Sequence, residues 1–262
     1  MRYLKHALLA LACALPIGGL GLAAQDEAPT PDERLEALEE RADEIYAEWR
    51  KSIREAQKKA AEAKEGEAVP AMSMSPPLDK LIPEFQAAAD DYAGTEDAVP
   101  FLAWIATSGG RVDRKAGMKA LGTLVTAHAK SEQLEGIAYM LPSYHESLGA
   151  EEGDRAMKKL EAASPVGAVR AWSVFARLAK TLEESALDSE AYKTAKREMT
   201  AVMEGVDDRY LSSEIGQLTE VRETFSMGMV APDIQGIDLD GTAFKLSDYK
   251  GQVLFVDFWG DW

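Results

Sequence analysis

One carboxylate interrupts an apolar run near the C-terminus. Val253-Leu254-Phe255-Val256 leads into Asp257, and Phe258-Trp259-Gly260-Asp261-Trp262 comes after it. Burying an unpaired carboxylate is costly. Burial also favours the protonated acid, which suits a proton shuttle working near neutral pH. Asp257 is therefore the candidate for proton transfer. The competing reading is a solvated Asp257 without a chemical role, favoured where too few strands surround the run to bury it.

The other reactive side chains lack a matching constellation. His128 and His145 are the histidines downstream of residue 24. His128 and Glu132 would share a helical face if that helix continues. A metal site needs three or four ligands, so a surface or capping role is expected and no metal is assigned. Ser143-Tyr144-His145-Glu146 holds a serine beside a histidine, but adjacency in sequence does not make a triad. The acidic pairs Asp90-Asp91, Glu151-Glu152, Glu183-Glu184 and Asp207-Asp208 suit helix ends and solvated faces. Gly109-Gly110 lacks the Gly-Lys-Ser/Thr of a phosphate loop. No cofactor is expected.

The elements that would position Asp257 lie in Gly228–Trp262. Asp240-Gly241 separates two short β-prone runs, and both residues tolerate positive φ, a hairpin signal. Lys250-Gly251 then releases the chain into Val253–Val256. A continuous apolar run of this length predicts a strand buried on both faces, as in a parallel sheet.

In order along this stretch stand Ala231-Pro232-Asp233, Asp240-Gly241, Leu246-Ser247-Asp248, Lys250-Gly251, Asp257-Phe258-Trp259 and Trp262. Together they resemble the opening of a thioredoxin-like domain of the redoxin class, which includes TlpA-like thiol–disulfide oxidoreductases and AhpC/TSA-type peroxiredoxins. The resemblance covers about the last seventh of the chain. It implies that Trp259 and Trp262 flank an active site, that the tryptophan matching Trp262 directly precedes its Cys-x-x-Cys, and that the aspartate matching Asp257 assists proton transfer at the resolving cysteine. It also implies protein thiols or disulfides, or a thioredoxin-type reductant, as partners. The sequence stops at Trp262, so this chain is expected to be inactive as it stands. An in-frame UGA codon meaning selenocysteine, read as a stop, would end a chain at that position. Selenocysteine suits a redox nucleophile, because a selenol is more acidic than a thiol and a better leaving group.

At the other end, Arg2, Lys5 and His6 precede an apolar stretch, Ala7 to Leu22, and then the small residues Ala23-Ala24. This order predicts a secretory signal peptide over residues 1–24, with a single-pass anchor as the alternative. Membrane association is expected only through that segment. Cys13 is the single cysteine of the chain. More apolar sequence follows it, which argues against a lipidated cysteine, and cleavage would leave neither a disulfide nor a thiol catalyst. The net charge of −16 becomes −18 once Arg2 and Lys5 are gone, with 27 basic residues against 45 acidic. Such a surface repels phosphate backbones and anionic lipid heads, so nucleic acid is not an expected partner.

Thr30-Pro31-Asp32-Glu33 carries the features of a capped helix start. Leu35, Leu38, Ala42, Ile45, Trp49, Ile53 and Ala56 then form a narrow apolar stripe, predicting one long amphipathic helix within residues 25–65. The stripe fades into alanine, so docking or a solvated stalk is expected rather than a coiled coil. Residues 66–77, with three prolines, read as a linker. Met72 and Met74 there lack the His or Cys that a soft-metal site needs.

From 78 to 227 helical spacing recurs in Phe85–Tyr92, Val99–Ala106, Ala116–Ala127, Leu134–Leu141, Arg155–Ala163, Val166–Leu182, Glu190–Met203 and Tyr210–Phe225. Gly94, Gly109-Gly110, Pro142, Gly153, Pro165, Asp188 and Gly205 read as breakers between them. Pro165-Val166-Gly167-Ala168-Val169-Arg170-Ala171 resembles the second helix of a HEAT-type repeat, with Val inward and Arg toward a neighbour. No fixed period emerges, so an irregular helical array is expected. The methionines Met118, Met140, Met157, Met199 and Met203 read as core filler.

The expected fold class is mostly α. It comprises a long amphipathic helix, a helical array over 78–227, and over 228–262 the truncated N-terminal β-portion of a thioredoxin fold. Two functions compete: an exported thiol–disulfide oxidoreductase seen without its catalytic residues, and an exported helical module that binds a protein partner and carries a decayed redoxin tail. The codon after Trp262 and the frame beyond it discriminate between them.

Overall fold

The computed structural model describes residues 28–63, 73–230 and 232–257. The expected signal segment at 1–24, most of the linker, and both Trp259 and Trp262 lie outside the described residues. The described part is mostly α-helical, with one two-stranded sheet.

Helix α1 runs Pro31–Glu62. Its start is the one its sequence encodes. The Thr30 hydroxyl accepts from the Glu33 amide, and the Glu33 carboxylate accepts from the Thr30 amide at 2.9 Å. The first half of α1 docks on α2 (Ile82–Asp91), where Leu38 and Ala42 are buried in the common core. Ion pairs Arg34–Asp91 and Arg41–Glu84 flank that contact. Further along, the Trp49 indole donates to the Ser73 carbonyl at 3.0 Å, which brings the chain back alongside α1.

Helices α3 (Ala98–Thr107) and α4 (Arg114–Ala127) continue the array. Phe85 of α2 is fully buried and stacks on Trp104 of α3, with ring centroids 3.7 Å apart. The helical spacing over Leu134–Leu141 falls largely on a 3-10 helix, Glu132–Met140, rather than on an α-helix. Its buried Leu134 and Ile137 stand three residues apart, the step that places side chains on one face of that tighter helix.

Two expected breakers belong to helices instead. Pro142 lies in the first turn of α5 (Leu141–Leu148), a helix the spacing did not suggest. A proline lacks a donor that the first turn leaves free in any case. Gly153 lies inside α6 (Ala150–Ala163). A Cβ there would stand 2.6 Å from both the His145 ring and its carbonyl, so the missing side chain lets α5 and α6 approach closely.

Helix α7 (Gly167–Glu184) is the centre of the array. Ala168, Val169 and the run from Ala171 to Ala176 are buried, between α5, α6 and α8 (Glu190–Val202). Val169 points inward as the HEAT-like pattern has it. Arg170 instead turns back to donate to the Ser164 and Pro165 carbonyls, at 3.1 and 2.7 Å. Arg177, nearly buried, joins Glu161 of α6 to Glu198 of α8 at 3.1 and 2.7 Å. The last helix is continuous but changes pitch: α9 (Arg209–Gly216), a π-helical turn (Gln217–Val221) and α10 (Arg222–Phe225). Its start is fixed by Asp208, which accepts from the Leu211 amide and from the Trp172 indole, at 2.9 and 2.7 Å.

Candidate functional site

The residues around Asp257 are organised by a small hairpin. Strands β1 (Gln235–Ile237) and β2 (Ala243–Lys245) pair antiparallel, with Gly236 opposite Phe244. The turn sits where Asp240-Gly241 places it, but only Gly241 takes a positive φ, +82°. Asp238 does the remaining work of the loop. Its carboxylate accepts from the Asp240 and Thr242 amides at 2.9 and 2.8 Å.

Two more aspartates fix the two ends of the hairpin. Asp233 accepts from the amide and hydroxyl of Ser247 at 2.8 and 2.9 Å, tying the entry of the hairpin to the 3-10 turn Leu246–Tyr249. Asp248 accepts from the Lys245 amide at 2.8 Å. Phe244 packs edge-on against Tyr249. The motif residues Asp233, Asp240-Gly241 and Leu246-Ser247-Asp248 thus have a common physical purpose: they close one turn-and-hairpin unit.

The Ser247 donors hold the Asp233 carboxyl below its ordinary pKa. A depressed folded-state pKa stabilises above the unfolded value and loses that contribution as pH falls through the folded one. Acidification below the ordinary aspartate range should therefore release Ser247 while leaving the helices intact, and Asp233→Asn should remove the transition. The Ser247 amide resonance reads this out. A resonance that stays fixed through the acid range would contradict it.

The strand expected over Val253–Val256 is absent. The run has no regular secondary structure and no ladder partner among the described residues, with Val253 and Phe255 almost fully exposed. A strand is completed by its neighbour, and among the described residues none lies beside this one. Asp257 is accordingly exposed, in agreement with the solvated reading of its position. Trp259 and Trp262, expected to flank it, lie outside the described residues. Among the described residues, the hydrogen bonds of 232–257 stay within that segment, and none of its side chains joins the helical core.

In the helical array the two histidines occupy separate places. His128 caps α4, one of the two roles expected for it, and is buried there rather than at the surface. His145 meets Asp154 at 2.8 Å between α5 and α6. Among the described residues no group of three or more His, Cys, Asp or Glu is arranged to hold a metal ion, and no helix is long and apolar enough to cross a membrane.

One polar cluster was not anticipated. Glu223 of α10 accepts from Lys196 of α8 at 2.6 Å and from the Tyr192 hydroxyl at 3.0 Å. Burial, then this bond, pushes the Tyr192 phenol up to about 12. Arg222 lies over the Tyr192 ring and donates to the Leu182 and Ser185 carbonyls at the end of α7. The helical step from Tyr192 to Lys196 is visible in sequence; their distant partner is not.

A stretch of 37 residues in this chain is 43% identical to the thiol-disulfide oxidoreductase ResA of Geobacillus thermodenitrificans. A stretch of the same length is 46% identical to ResA of Geobacillus kaustophilus. Part of this chain is similar to thiol–disulfide oxidoreductases. The similarity spans 14% of the chain and 21% of either relative, so the chain covers about a fifth of the length of the curated relatives it matches. No family model matches, and no solved structure matches significantly.

Proposed function

We propose that this chain is part of an exported thioredoxin-like thiol–disulfide oxidoreductase, in which residues 228–262 open the redox domain and the helical array serves recognition of a protein partner. The similarity to ResA carries the reading, since its length is about that of the hairpin unit with the apolar run beyond it. In the proposed reaction a thiolate attacks a substrate disulfide, forms a mixed disulfide and expels the other substrate sulfur as thiolate. A second protein thiol then attacks the mixed disulfide, releasing the reduced substrate and leaving the protein oxidised. Cys13, the single cysteine, lies in the proposed export segment. The chemistry therefore belongs to a Cys-x-x-Cys unit following Trp262, with selenocysteine a candidate for its first position, and Asp257 moves a proton for it.

The test is to join residues 25–262 to a Cys-x-x-Cys unit and the remainder of a thioredoxin domain. The joined protein should reduce a model disulfide in the presence of a dithiol, whereas residues 25–262 alone should not. A folded joined protein that neither reduces nor forms a mixed disulfide with any model substrate would sink the redox reading. Export is tested separately. N-terminal sequencing of the secreted or envelope form should begin near Ala24 or Gln25, and an intact Met1 there would contradict cleavage.

A further inference from the structure

Helix α1 turns one face away from the array, opposite the buried Leu38 and Ala42, and that face changes sign along its length. From Asp32 to Glu44 the helix carries seven carboxylates and two arginines, and both arginines are engaged by α2. From Arg50 to Lys59 it carries five cations and one carboxylate. On the outer face Glu36, Glu40, Asp43 and Glu44 stand in the first half and Arg50, Lys51, Arg54 and Lys58 in the second, all of them exposed. Among the described residues, Lys58 reaches Glu62 at 4.0 Å and the other seven form no ion pair.

The helix by itself does not account for this order. The macrodipole favours acids in the first turn and cations in the last, and its effect fades beyond them. Asp43, Glu44, Arg50 and Lys51 lie in the middle of α1. Within the helix the order is unfavourable. Glu36, Glu40 and Glu44 repeat at four-residue steps, as do Arg50, Arg54 and Lys58, and like charges at that spacing repel. An opposed surface carrying the reverse order would set both rows against opposite charge.

We propose that the outer face of α1 is the interface of an antiparallel homodimer. An interface between identical copies about a two-fold axis must be complementary to itself. A face acidic over one half and basic over the other meets that condition when two copies lie antiparallel with the axis at Ala47. Residues equally far on either side of Ala47 then meet: Glu40 faces the partner's Arg54, and Glu36 faces the partner's Lys58. Asp43 falls beside the partner's Arg50, and Glu44 beside the partner's Lys51. Each contact occurs twice. Parallel pairing would instead set acid against acid and base against base. Ala47 is small and exposed, so the two helices can approach at the crossing. An unrelated protein would need the same two patches in the same reversed order, whereas a second copy carries them by symmetry. Exposed ion pairs are individually weak and are screened by salt. The rest of a chain of net charge −16 repels its copies. The dimer is therefore a weak and salt-sensitive one.

Sedimentation of residues 25–262, which keep every described element, tests the proposal over the micromolar to millimolar range. At low salt the protein should self-associate, and added salt should reverse the association. Arg50→Glu with Arg54→Glu makes one variant, and Glu40→Lys with Asp43→Lys another. Each should weaken the dimer by about 10-fold or more, since each turns four attractions into repulsions. The second variant is decisive, because it lowers the net negative charge and would strengthen an association governed by net charge alone. An equimolar mixture of the two variants should associate as the parent does, and so should one chain carrying all four changes, whose net charge is the parent's. A protein that stays monomeric at low salt would overturn the proposal, as would an association indifferent to salt. So would an acidic-half variant that associates as well as the parent. A four-change chain that stays monomeric while keeping its helical circular dichroism would overturn it too; if that chain does not fold, the mixture decides in the same way.

Discussion

Phe85→Ala should destabilise the helical array by about 3–5 kcal/mol, a large share of the roughly 5–15 kcal/mol that holds a typical domain together. Phe85 is fully buried at the joint of α2 and α3, stacked on Trp104 and tilted against Phe101 at 6.3 Å. Removing the ring takes dispersion contacts from both neighbours and leaves a cavity between α2 and α3. Chemical denaturation of residues 28–227, which keep α1 docked, should show this loss in one cooperative transition. The same loss should appear in the full chain, because no side chain of 232–257 contributes to the helical core. A loss below about 1 kcal/mol would mean that the site collapses freely. A loss that differs between the two proteins would mean that the C-terminal segment supports the array.

Asp257→Ala should lower turnover of the joined redox protein by about 100-fold, the lower range for loss of a positioned acid or base. Among the described residues the run before Asp257 has no neighbouring strand, and Asp257 is solvated. Completing the sheet would cover that run and place the carboxylate in apolar surroundings, where proton transfer to and from a thiol is worth most. Activity should not vanish, since water can carry the proton more slowly. Asp257→Asn keeps the shape and removes the proton carrier. Equal losses in both variants assign the effect to proton transfer, while a loss confined to the alanine variant assigns it to packing. Parental rates in both would leave Asp257 a solvated bystander.

The capped start of α1 was legible because its signals are local. Thr30, Pro31 and Glu33 act on amides within one turn, and the structure joins them as their order implies. The hairpin was legible for the same reason, although the expected freedom at Asp240 proved unnecessary once Asp238 gathered the loop amides. Gly153 and Pro142 misled because each residue type has two meanings. A glycine breaks a helix in isolation, yet inside α6 it makes room for the His145 ring, a contact set by the packing of α5. Pro142 ends one helix or begins the next, and the tight 3-10 segment before it decided for the beginning. The strand over Val253–Val256 failed differently: its residues suit a strand, but pairing depends on a neighbour that the run itself does not specify. The same limit hid the Lys196–Glu223 pair, whose members lie on helices far apart in sequence. For the candidate site, the sequence located Asp257, and the structure showed how Asp233, Asp238 and Asp248 hold the unit that precedes it.

Amide hydrogen exchange across Val253–Asp257 in the joined redox protein tests most directly whether this segment opens a redox domain, because it does not depend on choosing the right substrate. Among the described residues those amides have no backbone partner, and in residues 25–262 alone they should exchange at the rate of an unstructured peptide. Once the rest of the domain is supplied, they should become protected to the level of the domain's central strands. Amides that keep exchanging freely while the added part folds and is protected around them would contradict the redox-domain assignment.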